Sequence, residues 1–137
     1  MAEETLVKEA LTDQMILAGA ELTKNLDRAG WPVVASLWLF EPENNQWRLV
    51  LASPAVDQEG PRESYRRVSD ALGEGAASIP LASVSVVSSD DPLVRVFRSA
   101  YRTGREIEGR RVFRSAINGH FVDDAYVYRI LAAAPAA

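Results

Sequence analysis

Apolar residues recur at steps of three and four through the first thirty positions, where Leu11, Met15, Ala18, Leu22, Leu26 and Ala29 fall on one face of a helix. Gly30 supplies a natural end to that helix, and Trp31-Pro32 prevents its continuation. The period then changes. Residues 33–40 (Val-Val-Ala-Ser-Leu-Trp-Leu-Phe) are rich in strand formers and apolar on both alternate faces, as in a central strand covered on both sides. Glu41 to Asn45 is turn chemistry. Gln46 to Ala52 reads as a returning strand, with Trp47, Leu49 and Leu51 on one side and Arg48, Val50 and Ala52 on the other.

Gly60-Pro61 opens a second helix striped by Tyr65, Val68 and Leu72 and ended by Gly73 and Gly75. A strand follows at Val84 to Ser88. Ser89-Asp90-Asp91-Pro92 offers a capping oxygen and a proline at a favoured position, so it starts a third helix, predicted to run to about Thr103 before Gly104. Arg111 to Ile117 and about Ala125 to Leu131 read as strands, with Asn118-Gly119 a two-residue hairpin signal. Asp123-Asp124 fits either a second tight turn or a bulge. The expected order is α-β-β-α-β-α-β-β in one α+β domain over residues 1–131. Its mostly antiparallel sheet of about five strands packs with a long N-terminal helix and two further helices, and residues 132–137 form a frayed tail. In outline this order resembles the sensor and scaffold modules of the GAF and PAS families, a likeness that carries over no residue.

The hexamer Arg-Val-Phe-Arg-Ser-Ala occurs twice, at 95–100 and 111–116. A hexamer does not determine its own secondary structure. The first copy follows a helix cap and the second precedes Asn-Gly, so one is expected as helix and the other as strand.

Composition narrows the class. With 47% hydrophobic and 25% charged residues in 137, the chain is long enough for one core and too apolar for a disordered protein. It has no cysteine, which excludes disulfides, thiolate zinc sites and a cysteine nucleophile. The start lacks the basic and then apolar run of a signal peptide, and the longest nearly apolar stretch, Trp31 to Phe40, is half a membrane span. A cytosolic protein without a membrane partner is the expectation. The net charge of −4 argues against generic nucleic-acid binding, but it is unevenly spread. Residues 1–91 hold 15 acidic and 7 basic side chains, whereas residues 92–137 hold 8 arginines and 4 acidic side chains.

Within that basic third, Arg95, Arg98, Arg102 and Arg105 are spaced three, four and three, which on one helix groups them in a sector beside Val94, Phe97 and Tyr101. Such a row suits an acidic protein surface, which includes a second copy of this chain, and less readily a phosphate backbone. It is also compatible with a solvated or internally paired face. The aromatic residues Trp31, Trp38, Trp47, Tyr65, Phe97, Tyr101, Tyr126 and Tyr128 are expected mainly in the core, with some free to line a pocket or a dimer face.

The favoured reading is a non-enzymatic binding module without a cofactor, a homodimer or a subunit of a larger assembly. The alternative is a small metal-dependent phosphodiesterase or nuclease that uses His120, Asp123 and Asp124, with Asp90, Asp91 and Asp124 as carboxylates for Mg²⁺ or Mn²⁺. The motifs of the commoner schemes are missing: there is no Gly-x-Ser-x-Gly elbow and no P-loop.

Overall fold

The computed structural model describes residues 7–73 and 78–132. Its elements are α1 (Asp13–Arg28), β1 (Ala35–Glu41), β2 (Gln46–Ser53), α2 (Ala55–Ala71), β3 (Val84–Ser88), α3 (Pro92–Ala100), β4 (Arg110–Ile117) and β5 (His120–Ile130), with one 3₁₀ turn at Leu81–Ser83. This is the expected α-β-β-α-β-α-β-β order. The five strands form one sheet in the order β3-β2-β1-β5-β4. Three pairings are antiparallel, whereas β3 joins β2 in parallel after the α2 crossover, so the sheet is mixed.

Local chemistry sets the element ends. Thr12 caps α1, its hydroxyl accepting from the Met15 N–H at 3.1 Å. At the other end Gly30 takes φ +77°, while the Trp31 and Gly30 N–H groups donate to the Leu26 and Asp27 carbonyls, the paired bonds of a Schellman ending. Helix α2 begins before Gly60 and kinks there, because Gly60 leaves the helical region (φ 85°, ψ 164°); the run from Pro61 onward is the helix expected from sequence. Its expected terminator Gly75 lies outside the described residues, as does the tail from residue 133. Asn118 and Gly119 both have positive φ and join β4 to β5, as their residue types require.

Two helices cover one face of the sheet. There Ala18, Leu22 and Leu26 of α1 and Val68 of α2 pack on Trp38, Trp47, Leu49, Leu51, Val84 and Tyr128. On the opposite face Phe97 of the short α3 packs on Leu37, Val50, Ala125, Val127 and Ile130. Helix α2 also closes the short edge strand, where the Tyr65 hydroxyl accepts from the Val86 N–H at 3.1 Å.

The sheet is tied to α1 through an irregularity in β5. Ser36 pairs with Arg129 but Leu37 pairs with Val127, so Tyr128 is one residue too many. Both Tyr128 and Arg129 consequently reach α1. The Tyr128 hydroxyl donates to the Ile16 carbonyl at 2.6 Å and accepts from the Trp38 indole N–H at 3.0 Å. Burial raises the Tyr128 pKa well above its ordinary range. Arg129, 4% exposed, forks onto both Asp27 oxygens at 2.9 and 2.8 Å. Beside them the buried hydroxyls of Thr23 and Ser36 lie 2.8 Å apart.

Gly19 makes this approach possible. A Cβ there would overlap the Tyr128 hydroxyl and lie 2.7 Å from the Trp38 indole nitrogen. Gly19→Ala is therefore expected to destabilise the fold by about 1–3 kcal/mol through overpacking, although alanine is the better helix former. Gly104→Ala, facing open space, is expected to be close to neutral. Urea midpoints of the two variants check this, and equal midpoints would refute it.

Candidate functional site

The arginine series does not stay on one helix. Helix α3 stops at Ala100, and Tyr101 is extended (φ −128°, ψ 114°), so only Arg95 and Arg98 share the helix while Arg102 and Arg105 lie beyond it. The cause is a tertiary contact: the Thr103 N–H donates to the Ile130 carbonyl at 2.7 Å, and its hydroxyl accepts from the Ile130 N–H at 2.8 Å. The end of β5 thus captures the backbone that local pattern assigns to a fourth helical turn.

The four arginines have different surroundings. Arg98 is half-buried and donates to the carbonyls of Leu131 at 3.0 Å and Ser89 at 3.2 Å, which joins α3 to the end of β5. Arg95, Arg102 and Arg105 are exposed, as are Arg110 and Arg114 on β4. Among the described residues none of these five has a carboxylate within ion-pair distance. Arg110 instead lies over the Tyr101 ring, 4.9 Å from its centroid.

The carboxylates of the alternative reading are also divided. His120 and Asp123 line an open cleft of about 600 Å³ between the start of α3 and the turn after β1, together with Leu39, Leu93, Val96 and the 64% exposed Phe121. Asp124 lies within strand β5, not in a turn, and is no part of that cleft. Asp91 caps α3, its carboxylate accepting from the Leu93 N–H at 2.9 Å, and Asp90 sits in the preceding turn. Among the described residues no three His, Asp or Glu side chains gather where they could hold a metal ion.

Asp124 instead belongs to a cluster that sequence reasoning did not single out. It is 1% exposed and takes a two-pronged bond from Arg111 at 2.5 and 2.7 Å. Lys8 completes it, with Nζ 2.8 Å from Asp124 and 3.2 Å from Asp123. Three rings surround that ammonium, with centroids 4.6 Å (Phe40), 5.2 Å (Phe113) and 5.8 Å (Trp47) away. The sheet register creates this cage, because Phe40 is directly opposite Trp47 across β1 and β2, and Phe113 is directly opposite Asp124 across β4 and β5.

The segment carrying Lys8 is fastened on both sides. Asn45 accepts from the Glu9 N–H at 2.9 Å and donates to the Val7 carbonyl at 3.0 Å, and the Trp47 indole donates to the Glu9 carbonyl at 2.8 Å. The available sequence signal was the symmetric placement of Phe40 and Trp47 about the Glu41 to Asn45 turn. Nothing local to Lys8 pointed to its partners, which lie more than a hundred positions away.

Burial alone would raise the Asp124 pKa, but hydrogen bonds from Arg111 and Lys8 outweigh it and hold the carboxyl below its ordinary value. The stability it contributes is complete above the unfolded value of about 3.9 and is lost as pH falls through the lower folded value. Asp124→Asn is therefore expected to cost about 1–3 kcal/mol at neutral pH. It should also flatten the loss of stability below pH ~4 in a urea titration series. An acid limb that overlays the wild-type curve would contradict this.

Among the described residues no helix is long and apolar enough to cross a membrane. No protein-family model matches the chain, and comparison with curated proteins and with solved structures finds no match.

Proposed function

We propose that this chain is a non-enzymatic binding module, working as a homodimer or as a subunit of a larger assembly, whose arginine-bearing surface meets an acidic protein face. The observation that carries this reading is the set of exposed arginines, Arg95, Arg102, Arg105, Arg110 and Arg114, without a carboxylate at ion-pair distance among the described residues. Elsewhere the same chain pairs its arginines readily, as with Arg66 and Glu63 or Arg129 and Asp27. The fork geometry of guanidinium favours carboxylates presented in a fixed array over solvent. On the α3 side, Phe121 at 64% exposure adds apolar contact area beside Leu93 and Val96.

Arg98 leaves the proposed contact set because its donors serve the fold. The nuclease alternative has less support, since His120 and Asp123 share a cleft but Asp124 is committed to Arg111 and Lys8.

A labelled oligoglutamate peptide is the direct probe, with a single-stranded oligonucleotide as its competitor. The wild-type chain is expected to bind the peptide in a salt-sensitive manner, and reversal of Arg95, Arg102 and Arg105 to Glu should weaken binding by about tenfold or more. Arg66→Glu, on α2, should not. Oligonucleotide binding that is the tighter of the two would favour a phosphate partner, and insensitivity to the triple reversal would sink the proposal.

A further inference from the structure

We infer that the cage formed by Phe40, Trp47, Phe113 and the Asp123-Asp124 pair is a binding site for an alkylammonium group such as a partner's lysine side chain, held closed in this structure by the chain's own Lys8. This inference is independent of the arginine surface.

Three observations carry it. The first is the match of chemistry to occupant. Ring faces attract a cation, while carboxylate oxygens accept its N–H bonds, and both kinds of group converge on one nitrogen here. The second is charge. Two carboxylates face two cations, Lys8 and Arg111, and Arg111 is fixed in place by its two-pronged bond. Withdrawal of Lys8 leaves one negative charge uncompensated, with Asp124 almost fully buried, and that arrangement is costly until another cation enters.

The third is that the walls stand on strands of the sheet, whereas the occupant does not. Phe40 and Trp47 are buried cross-strand neighbours whose rings lie 5.3 Å apart, and Asp124 is a central residue of β5. Phe113, 57% exposed, contributes nothing to either sheet face's core yet stands over the ammonium. Its counterpart in the other copy of the repeated hexamer, Phe97, is fully buried. By contrast, Lys8 arrives on a segment outside any helix or strand, held by three hydrogen bonds from Asn45 and Trp47. Such a segment opens at lower cost than the sheet beneath it. A ligand lysine therefore competes with Lys8, and the apparent affinity is the intrinsic one multiplied by the fraction of open chains.

The test uses Lys8→Ala in the full chain, with n-propylammonium as the probe, because it is the piece of side chain removed. Saturable stabilisation of the thermal midpoint is expected, with a dissociation constant on the order of 1–10 mM. Nα-acetyl-lysine amide should act likewise. Propan-1-ol, the neutral analogue, should not, and Lys8→Ala combined with Asp124→Asn should respond to neither cation. The wild-type chain should bind at least about tenfold more weakly because its site is filled. If Lys8→Ala does not fold unaided, recovery of its far-UV circular dichroism on adding the cation gives the same reading. Absence of saturation, or an equal effect of propan-1-ol, overturns the inference. So does binding by a peptide of residues 1–12 but not by Nα-acetyl-lysine amide, which would make the cage an anchor for its own segment only.

Discussion

The extra residue in β5 is the constraint on which the architecture depends. In a regular strand Tyr128 and Arg129 would point to opposite faces. Because Tyr128 is unpaired against β1, both meet α1, one through the Ile16 carbonyl and the other through Asp27. A single backbone irregularity thereby fixes a helix at two points about three turns apart, and it brings the Trp38 indole into the same hydrogen-bonded group. The cost is steric and falls on α1, which must carry glycine at position 19 inside a helix. The Tyr128 hydroxyl serves both bonds at once, donating one and accepting the other.

The two faces of the sheet then diverge. With α1 and α2 on one side, aromatic residues such as Trp38 and Tyr128 are fully covered. The other side has only the nine residues of α3, and an open cleft beside His120 and Asp123 remains between its start and the turn after β1. The arginines accumulate in and around this thinner layer. The truncation of α3 sets their arrangement: a longer helix would have aligned Arg95, Arg102 and Arg105 along one sector, whereas the extended segment after Tyr101 spreads them between α3 and the edge strand β4. An array of this kind meets a broad acidic surface more readily than it grips one small anion.

Much of the fold was legible from local pattern. The alternation in Gln46 to Ala52, the Gly30 ending and the Asn118-Gly119 turn each depend on neighbours in sequence, and each takes the expected form. The repeated hexamer is helical in its first copy and extended in its second, as its flanks imply. Most of what escaped was decided at long range. The end of α3 is set by Ile130 and the parallel placement of β3 arises from the α2 crossover, whereas the helical run ahead of Gly60 is a local feature that the sequence reading did not include. Asp123-Asp124 has turn composition but forms strand because Arg111 and Lys8 compensate the buried carboxylate. Asp and Asn are poor strand formers only when their polar groups lack partners.

The cage around Lys8 shows why an ion-pair count understates such a cluster. A surface pair of Lys and Asp contributes little, because water competes for both partners. Here one partner is 1% exposed and also bound to Arg111, so water competes little for it. Lys8 adds charge balance to Asp123 and Asp124 and a cation for three rings, in return for ordering only a short segment. The balance favours closure without making it permanent: the segment's own bonds are three, and the determinants of the site reside in β1, β2, β4 and β5.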